Sequence, residues 1–444
     1  MIRLALIFFA SLFLSACALI DPQHLLSRRI GNQAALNGAP LDAATREQAF
    51  DFVWHRIDEA YVDPDLHGLD WKKTGQDFRP KVLLASSDEL FWKRLDDMVA
   101  ELGDAHTRVL SPAQYLADEE KYAISLGLHI DLLRDEIVVM NVFPGSPAEK
   151  AGLEKGNQIL EIDGISANLW WQNHLQTARK NSSFRAQTKS VKRLFNLGEP
   201  EHTNDPRSLK VLNNIGEERV LSLHRARLTY RNIFSASRHA SGFAYVRLTG
   251  FEHSLARDLD DIFSSVKDAP GLVIDLRGNG GGSSAFAMAL MNHLVPSKTP
   301  AGKRISRNGR VPQVFFGLFQ SDQLTLELSG MKRAFAQPVV VLLDADSASA
   351  SELTAGILQS IGRAKIVGQT SCGCLMAYFG YANVPGGGAL AYSELDFRMP
   401  DGKRIEGVGV LPDSVVTFTR EDLIKGRDPA IERALELLRQ SRGE

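Results

Sequence analysis

Leu272-Val-Ile-Asp-Leu-Arg-Gly-Asn-Gly-Gly-Gly282 is a short apolar run that ends in a glycine-rich turn, and Pro338-Val-Val-Val-Leu-Leu-Asp-Ala-Asp-Ser-Ala-Ser-Ala-Ser-Glu352 is a second such run that ends in a string of serines. Unbroken runs of Val, Ile and Leu this short read as strands buried on both faces. Each is followed by apolar helical sequence: Phe286 to Val295 after the first, and a segment opening at Ser347 and reaching about Ile361 after the second. Working outward, Phe243-Ala-Tyr-Val-Arg-Leu248 reads as another strand. Leu255, Leu259, Ile262, Phe263 and Val266 recur at helical spacing, and Pro429–Arg439 reads as a last helix. Repeated strand-then-helix order predicts an α/β core whose sheet is covered by helices.

The two strand-to-helix joints are where chemistry is expected. Glycines in the first let main chain approach a ligand closely, and N–H groups in such a turn line an anion-binding concavity. In the second, a serine at a helix start sits where N–H groups and the helix dipole favour developing negative charge. Ser349 and Glu352 also fit the S-x-x-E capping box, a purely structural role, and spacing alone favours the cap.

Read together, V-I-D-L-R-G-N-G-G-G (273–282), V-V-V-L-L-D-A-D-S-A-S-A-S-E (339–352) and G-R-A-K-I-V-G-Q-T (362–370) form a pattern that resembles the S41-type serine peptidases, the tail-specific proteases and tricorn core proteases. The resemblance implies an α/β core of the ClpP/crotonase kind and peptide-bond hydrolysis; no cofactor is expected. It implies that Ser349 is the nucleophile. It places the oxyanion hole at the Ala350 N–H and that of Gly280 or Gly281. The tail-specific branch carries a lysine base in a G-K-G segment; here Gly368-Gln-Thr-Ser-Cys-Gly-Cys374 has Cys374 at that place and Tyr378 where an accompanying glutamine would stand. The tricorn-like branch instead implies His106, in Glu101-Leu-Gly-Asp-Ala-His106, as general base, and Glu406, in Arg404-Ile-Glu-Gly407, as its carboxylate partner, with Asp104 a weaker alternative. A free imidazole titrates near pH ~6.5, which suits proton transfer at neutral pH.

Upstream, Phe50, Val53, Trp54, Ile57 and Tyr61 line one helix face, and Leu90, Phe91, Leu95, Met98, Val99 and Leu102 line another, capped by Ser86 or Ser87 and stopped near Gly103. Strand-like runs at Ile124–Ile130 and Glu136–Val142 precede S-P-A-E-K-A-G-L (146–153) and G-N-Q-I-L-E-I-D-G (156–164). This order resembles a bacterial PDZ domain. The resemblance implies an extended-peptide groove between the 146–151 helix and the strand starting near Leu126. Leu126, Gly127 and Leu128 would receive the peptide's carboxylate. Residues 165–205 read as a polar, helical insertion before a closing strand near Glu218–His224. The expected domains are residues 17–120 (helical), 121–228 (PDZ with insertion) and 229–444 (peptidase core).

At the start, Met1-Ile2-Arg3, an apolar run from Leu4 to Leu14 and Leu14-Ser-Ala-Cys17 make a secretory signal over residues 1–16 that resembles a bacterial lipobox. That implies a diacylglyceryl group on Cys17 and, with Ala18 following, an outer-membrane lipoprotein facing the periplasm. The run is too short to span a bilayer, which takes roughly 20 residues. A net charge of −2 without basic runs does not point to nucleic acid, and the eleven histidines show no metal-ligand spacing. Cys372 and Cys374 are open to three readings: packing residues, a redox-sensitive pair or a disulfide. Three functions compete: a peptidase acting on protein or peptide substrates, an inactive PDZ scaffold on a dead protease fold, and a site for a non-peptide ligand.

Overall fold

The computed structural model describes residues 40–198, 206–229, 231–309, 313–314, 319–320 and 324–441. Residues 1–16, expected as a secretory signal with a lipobox-like end, and Cys17 lie outside the described residues. No helix among those described is long and apolar enough to cross a membrane. The chain divides into two compact units: residues 1–115, 301–326 and 376–398 form one, and 116–300, 327–375 and 399–444 the other.

The first unit is built on three helices, Ala43–Ala60, Trp71–Leu83 and Asp88–Ala100. The expected faces are buried: Phe50, Val53, Ile57 and Tyr61 on the first, and Phe91, Leu95, Met98 and Val99 on the third. Ser87 is the cap of the third helix, accepting from the Leu90 N–H at 3.1 Å. The helix Trp71–Leu83 lies within the stretch read as helical, where no face was assigned to it. It packs Trp71 and Val82 into the same core. That core also holds Met376, Ala382, Val384, Leu390 and Tyr392, so residues 376–398 belong with the N-terminal helices rather than with the sequence around them. Arg108–Leu110 pairs with Ala389–Ala391, fixing that association in register.

The second unit contains two sheets. The PDZ sheet runs Leu128–Leu133, Glu136–Val142, Gln158–Ile162, Pro206–Leu212 and Glu218–His224, all antiparallel. Tyr122–Ser125, expected to continue into the next strand, breaks off at Gly127 (φ +79°) and pairs with Ala226–Thr229 and Leu197–Gly198. Residues 165–198 are more than an insertion. Their helices Ala167–Thr177 and Phe184–Asn196 place Trp170, Trp171, Val191 and Phe195 in the PDZ core. The helix packed beside Leu128–Leu133 is Phe184–Asn196, not the short Pro147–Lys150 turn expected to wall the groove.

The other sheet runs Phe234–Arg238, Ala244–Leu248, Leu272–Asp275, Val339–Leu343, Ala364–Gly368 and Ser414–Val415; every pair after the first is parallel. Val273, Val340, Leu342 and Val367 face the helix Pro429–Gln440 through its Ala430, Ala434, Leu435 and Leu438. The alternate residues Ile274 and Val341 are also buried, as two-sided burial demands. The helices Ser284–Asn292 and Ala350–Ser360, which follow the two deciding strands, pack on each other.

Candidate active site

The two strand-to-helix joints are stitched together by their own polar groups. Parallel pairing sets Asp275 beside Leu342, so both loops leave the same sheet edge. The Gly278 N–H donates to Asp344 Oδ1 (2.9 Å), the Ala348 N–H to the Asn279 carbonyl (3.0 Å), Ser347 Oγ to the Leu276 carbonyl (2.9 Å) and Ser351 Oγ to the Asn279 carbonyl (3.0 Å). Asn279, fully buried, sends Nδ2 to the Leu248 carbonyl (3.1 Å). The outer serines of S-A-S-A-S are therefore structural. Ser349, between them, takes no part in these four bonds.

Ser349 and Glu352 do form the capping box that their spacing predicts, but the backbone of Ser349 is not that of an ordinary cap. An N-cap serine ordinarily has extended dihedrals; Ser87 (φ −143°, ψ 164°) and Ser183 (φ −152°, ψ 167°) do so here. Ser349 stands at φ +55°, ψ −120°. A non-glycine residue so placed costs about 1–3 kcal/mol and persists only where its surroundings hold it. The Ser349 N–H is shared between the Cys374 carbonyl (3.0 Å) and Glu352 Oε2 (3.0 Å). Glu352 is buried and also accepts from Ser371 Oγ (2.6 Å), the Gly373 N–H (2.7 Å) and the Cys374 N–H (2.9 Å). Burial pushes its carboxyl above the usual range, and these donors pull against that shift. Hydrogen bonds to a charged group contribute about 1.5–3 kcal/mol, enough to offset the strain at Ser349.

Gly281 (φ +95°) closes over the serine. A Cβ built there would lie 2.7 Å from Ser349 Cβ and 2.8 Å from the Ala350 nitrogen, so only glycine fits. Its N–H, however, donates to Asn279 Oδ1 at 2.8 Å. Gly281 thus supplies close approach, with its N–H already engaged. Of the candidate oxyanion-hole donors, Ala350 stands at the helix start, where first-turn amides lack intrahelical acceptors, and Gly280 precedes the glycine that closes over Ser349.

Glu406 shares the unit with Ser349. It is not an exposed turn residue: it is 4% exposed, and Oε2 accepts from the Leu375 N–H at 2.5 Å. The next residue, Gly407, donates to the Gly373 carbonyl (2.9 Å), so the Glu406 loop and the 371–375 loop are tied together. His106 belongs to the first unit. Buried Asp104 accepts from its main-chain N–H (2.7 Å) and from Tyr61 Oη (3.2 Å), Thr107 Oγ1 (2.5 Å) and Ser393 Oγ (2.5 Å). That knot fixes the loop carrying His106, whose ring centroid lies 6.3 Å from that of Tyr378. Cys372 and Cys374 are joined in a disulfide, so neither is a free thiol nucleophile.

With this geometry in place, comparison with known proteins is direct. Residues 242–416 match the model of peptidase family S41, residues 42–100 the tricorn protease C1 domain and residues 118–186 the PDZ domain. A carboxyl-terminal-processing protease of Picosynechococcus sp. is 27% identical over 378 residues, covering 82% of this chain and 81% of its own. The chloroplastic C-terminal processing peptidase of Tetradesmus obliquus is 27% identical over 398 residues, covering 84% and 78%. The chain is an S41-like serine peptidase. Among solved structures, mature CPAF complexed with lactacystin aligns with a TM-score of 0.66 at 15% identity, covering 90% of this chain and 98% of that one. The photosystem II D1 C-terminal processing protease aligns at 0.55 and 24%, covering 87% and 98%. Both likenesses are of fold.

Two features of this S41-like peptidase escaped the sequence reading. First, the helix Phe184–Asn196 docks on the loops around Ser349. Ser183 Oγ donates to the Cys372 carbonyl, Arg185 Nε to the Ser371 carbonyl (2.6 Å) and Lys189 Nζ to the Asp346 carbonyl (2.8 Å), and Lys192 bridges Asp131 (2.9 Å) and Asp346 (3.0 Å). Arg185, Lys189 and Lys192 share one helical face. Lys189 Nζ is also the group that a Cβ on Gly280 would meet, at 3.8 Å. Burial pushes the Lys189 ammonium below its ordinary pKa. Burial does the same to Lys192, but the Asp346 and Asp131 carboxylates outweigh it and raise that group. Second, the N–H groups expected to receive a peptide carboxylate are engaged. Leu126 donates to the Asn196 carbonyl (3.0 Å), and Gly127 (3.1 Å) and Leu128 (3.3 Å) to Asn196 Oδ1.

Proposed function

We propose that this peptidase is an endopeptidase of the cell envelope that cuts proteins presented as extended or C-terminal segments. The observation that carries the reading is the backbone of Ser349, held at φ +55° under Gly281. Capping alone requires no such strain, as Ser87 and Ser183 show, and neither does an inactive scaffold. In the proposed reaction Ser349 Oγ attacks the scissile carbonyl carbon. His106 takes the hydroxyl proton and passes it to the departing amine, while Glu406 orients the imidazole and stabilises its cation. The Gly280 and Ala350 N–H groups receive the negative charge of the tetrahedral intermediate; one such donor is worth about 2.7–4 kcal/mol. Water then attacks the acyl-enzyme, activated by the same histidine.

The relatives named as C-terminal processing proteases support tail recognition, with Leu126, Gly127 and Leu128 as the peptide-binding groups once Asn196 is displaced. The lipobox-like Leu14–Cys17 supports a lipid anchor on Cys17, in the outer membrane facing the periplasm. The test is hydrolysis of casein and of unstructured peptides by the protein beside its Ser349→Ala variant, with fluorophosphonate labelling of both. Cleavage and labelling in the parent alone are expected. Equal cleavage by Ser349→Ala would overturn the assignment, and an unlabelled, inactive parent that still binds peptides would favour the scaffold.

A further inference from the structure

The site that resemblance assigns to a base lysine is filled here by something else. Residues 371–375 are bonded to Ser349, Glu352 and Glu406. The Cys374 carbonyl takes the Ser349 N–H, and the Gly373 and Cys374 N–H groups and Ser371 Oγ hold Glu352. The Cys372 N–H donates to the Ser347 carbonyl (2.9 Å). The Gly373 carbonyl takes the Gly407 N–H, and the Leu375 N–H holds Glu406. Five residues thus set the strained serine, the carboxylate that shares its N–H and the proposed triad carboxylate. Gly373 stands at φ +74°, and a Cβ there would lie 3.1 Å from the Gly407 carbonyl carbon. The middle of this hub is therefore its most permissive residue. Left to itself, a C-G-C segment is a poor element on which to hang three sets of hydrogen bonds. The disulfide spans that glycine, joining residues two apart. Both cysteines are buried.

We propose that the Cys372–Cys374 disulfide is a positioning element of the active site, so that peptidase activity belongs to the oxidised chain. The proposal rests on Ser349 being the nucleophile. Reduction by a dithiol converts the bridge into two thiols while the reductant becomes the disulfide, so two electrons and two protons are transferred. The freed loop gains rotations about Gly373. The acceptor of the Ser349 N–H and the donors to Glu352 and Glu406 then lose their common frame. Small misplacements of reacting groups slow catalysis far more than they weaken substrate binding.

The experiment compares full-length parent protein, parent pre-incubated with a phosphine or dithiol reductant, and the Cys372→Ser/Cys374→Ser variant, with Ser349→Ala as the blank. Alkylation and mass measurement count free thiols, and circular dichroism and thermal melting confirm folding. Because both sulfurs are buried, reduction is expected to be slow, and the double variant reports without it. The expected result is a fall in kcat of about tenfold or more, with KM within a few-fold, a matching fall in the rate of fluorophosphonate labelling, retained fold, and recovery on reoxidation of the reduced parent. A double variant with a parental kcat overturns the proposal, as does a fully reduced parent with unchanged turnover. Loss of activity together with loss of fold also overturns it, since the bridge is then a general stabiliser. If Ser349→Ala is as active as the parent, the nucleophile assignment falls and this proposal falls with it. Dependence on Ser349 without dependence on the cysteines sinks this proposal alone.

Discussion

The Ser349 N–H donates to the Cys374 carbonyl across 3.0 Å, so the residue standing where the resemblance places a lysine holds the proposed nucleophile by its main chain.

The positive φ of Ser349 makes a stability prediction that a simple cap does not. Ser349→Gly and Ser349→Ala are both expected to lose turnover. Glycine adopts φ +55° without steric cost, whereas alanine keeps the strain. Glycine's larger unfolded-state entropy offsets part of the gain, leaving Ser349→Gly about 1 kcal/mol more stable than Ser349→Ala. Urea midpoints of the two variants decide the matter. An alanine variant at least as stable as the glycine one would mean that Ser349 carries no such strain.

Gly281→Ala tests close approach against N–H donation. The new methyl would press on Ser349 Cβ at 2.7 Å and on the Ala350 nitrogen at 2.8 Å. We expect kcat to fall by about a hundredfold, on the scale of an ångström of displacement. Gly280→Ala keeps its N–H and meets only Lys189 Nζ at 3.8 Å, so it should lose far less. Steady-state kinetics on both variants checks the order, and the reverse order would contradict the assignment.

Asp275 predicts an acid limb of stability. It is buried, which alone would raise its pKa, but the hydrogen bonds and charge of Arg277 outweigh burial and hold it below the usual carboxylate range. A folded-state pKa below the unfolded one means stability that is complete above pH ~4 and is lost as pH falls through the lower folded value. Arg277 also grips Asp428, the cap of the helix Pro429–Gln440, at 2.8 Å. Asp275→Asn should therefore cost about 3 kcal/mol at pH 7, because it breaks a buried pair. It should also flatten the decline on acidification. Denaturation midpoints from pH 3 to 7 measure both; parallel curves for parent and variant would refute the linkage.

The strand-to-helix joints were legible because their signals are local: a buried Val-rich run, a glycine turn, a serine at a helix start. Residues 376–398 were not, because their partners Tyr61, Phe91 and Leu95 lie far away in sequence and nothing in Ala382 or Leu390 names them. The helix Phe184–Asn196 was read as polar insertion for a physical reason. Arg185, Lys189 and Lys192 look like a solvated face, and only carbonyls and carboxylates from distant loops turn that face inward. Cys372 and Cys374 stayed open between three roles, since two cysteines in sequence do not disclose whether they are bonded. The choice between Gly280 and Gly281 turned on the side chain of Asn279, which no motif specifies.

Asn196 already sits on the three N–H groups that a peptide tail would seek. An incoming carboxylate must therefore compete with a tethered rival whose effective concentration is set by the fold rather than by the cell. The affinity that the intact chain would display is the intrinsic affinity multiplied by the fraction of time that the rival is displaced. Only tails that are abundant, or that make contacts beyond the carboxylate, would win the exchange, so selectivity here begins with the displacement of an asparagine.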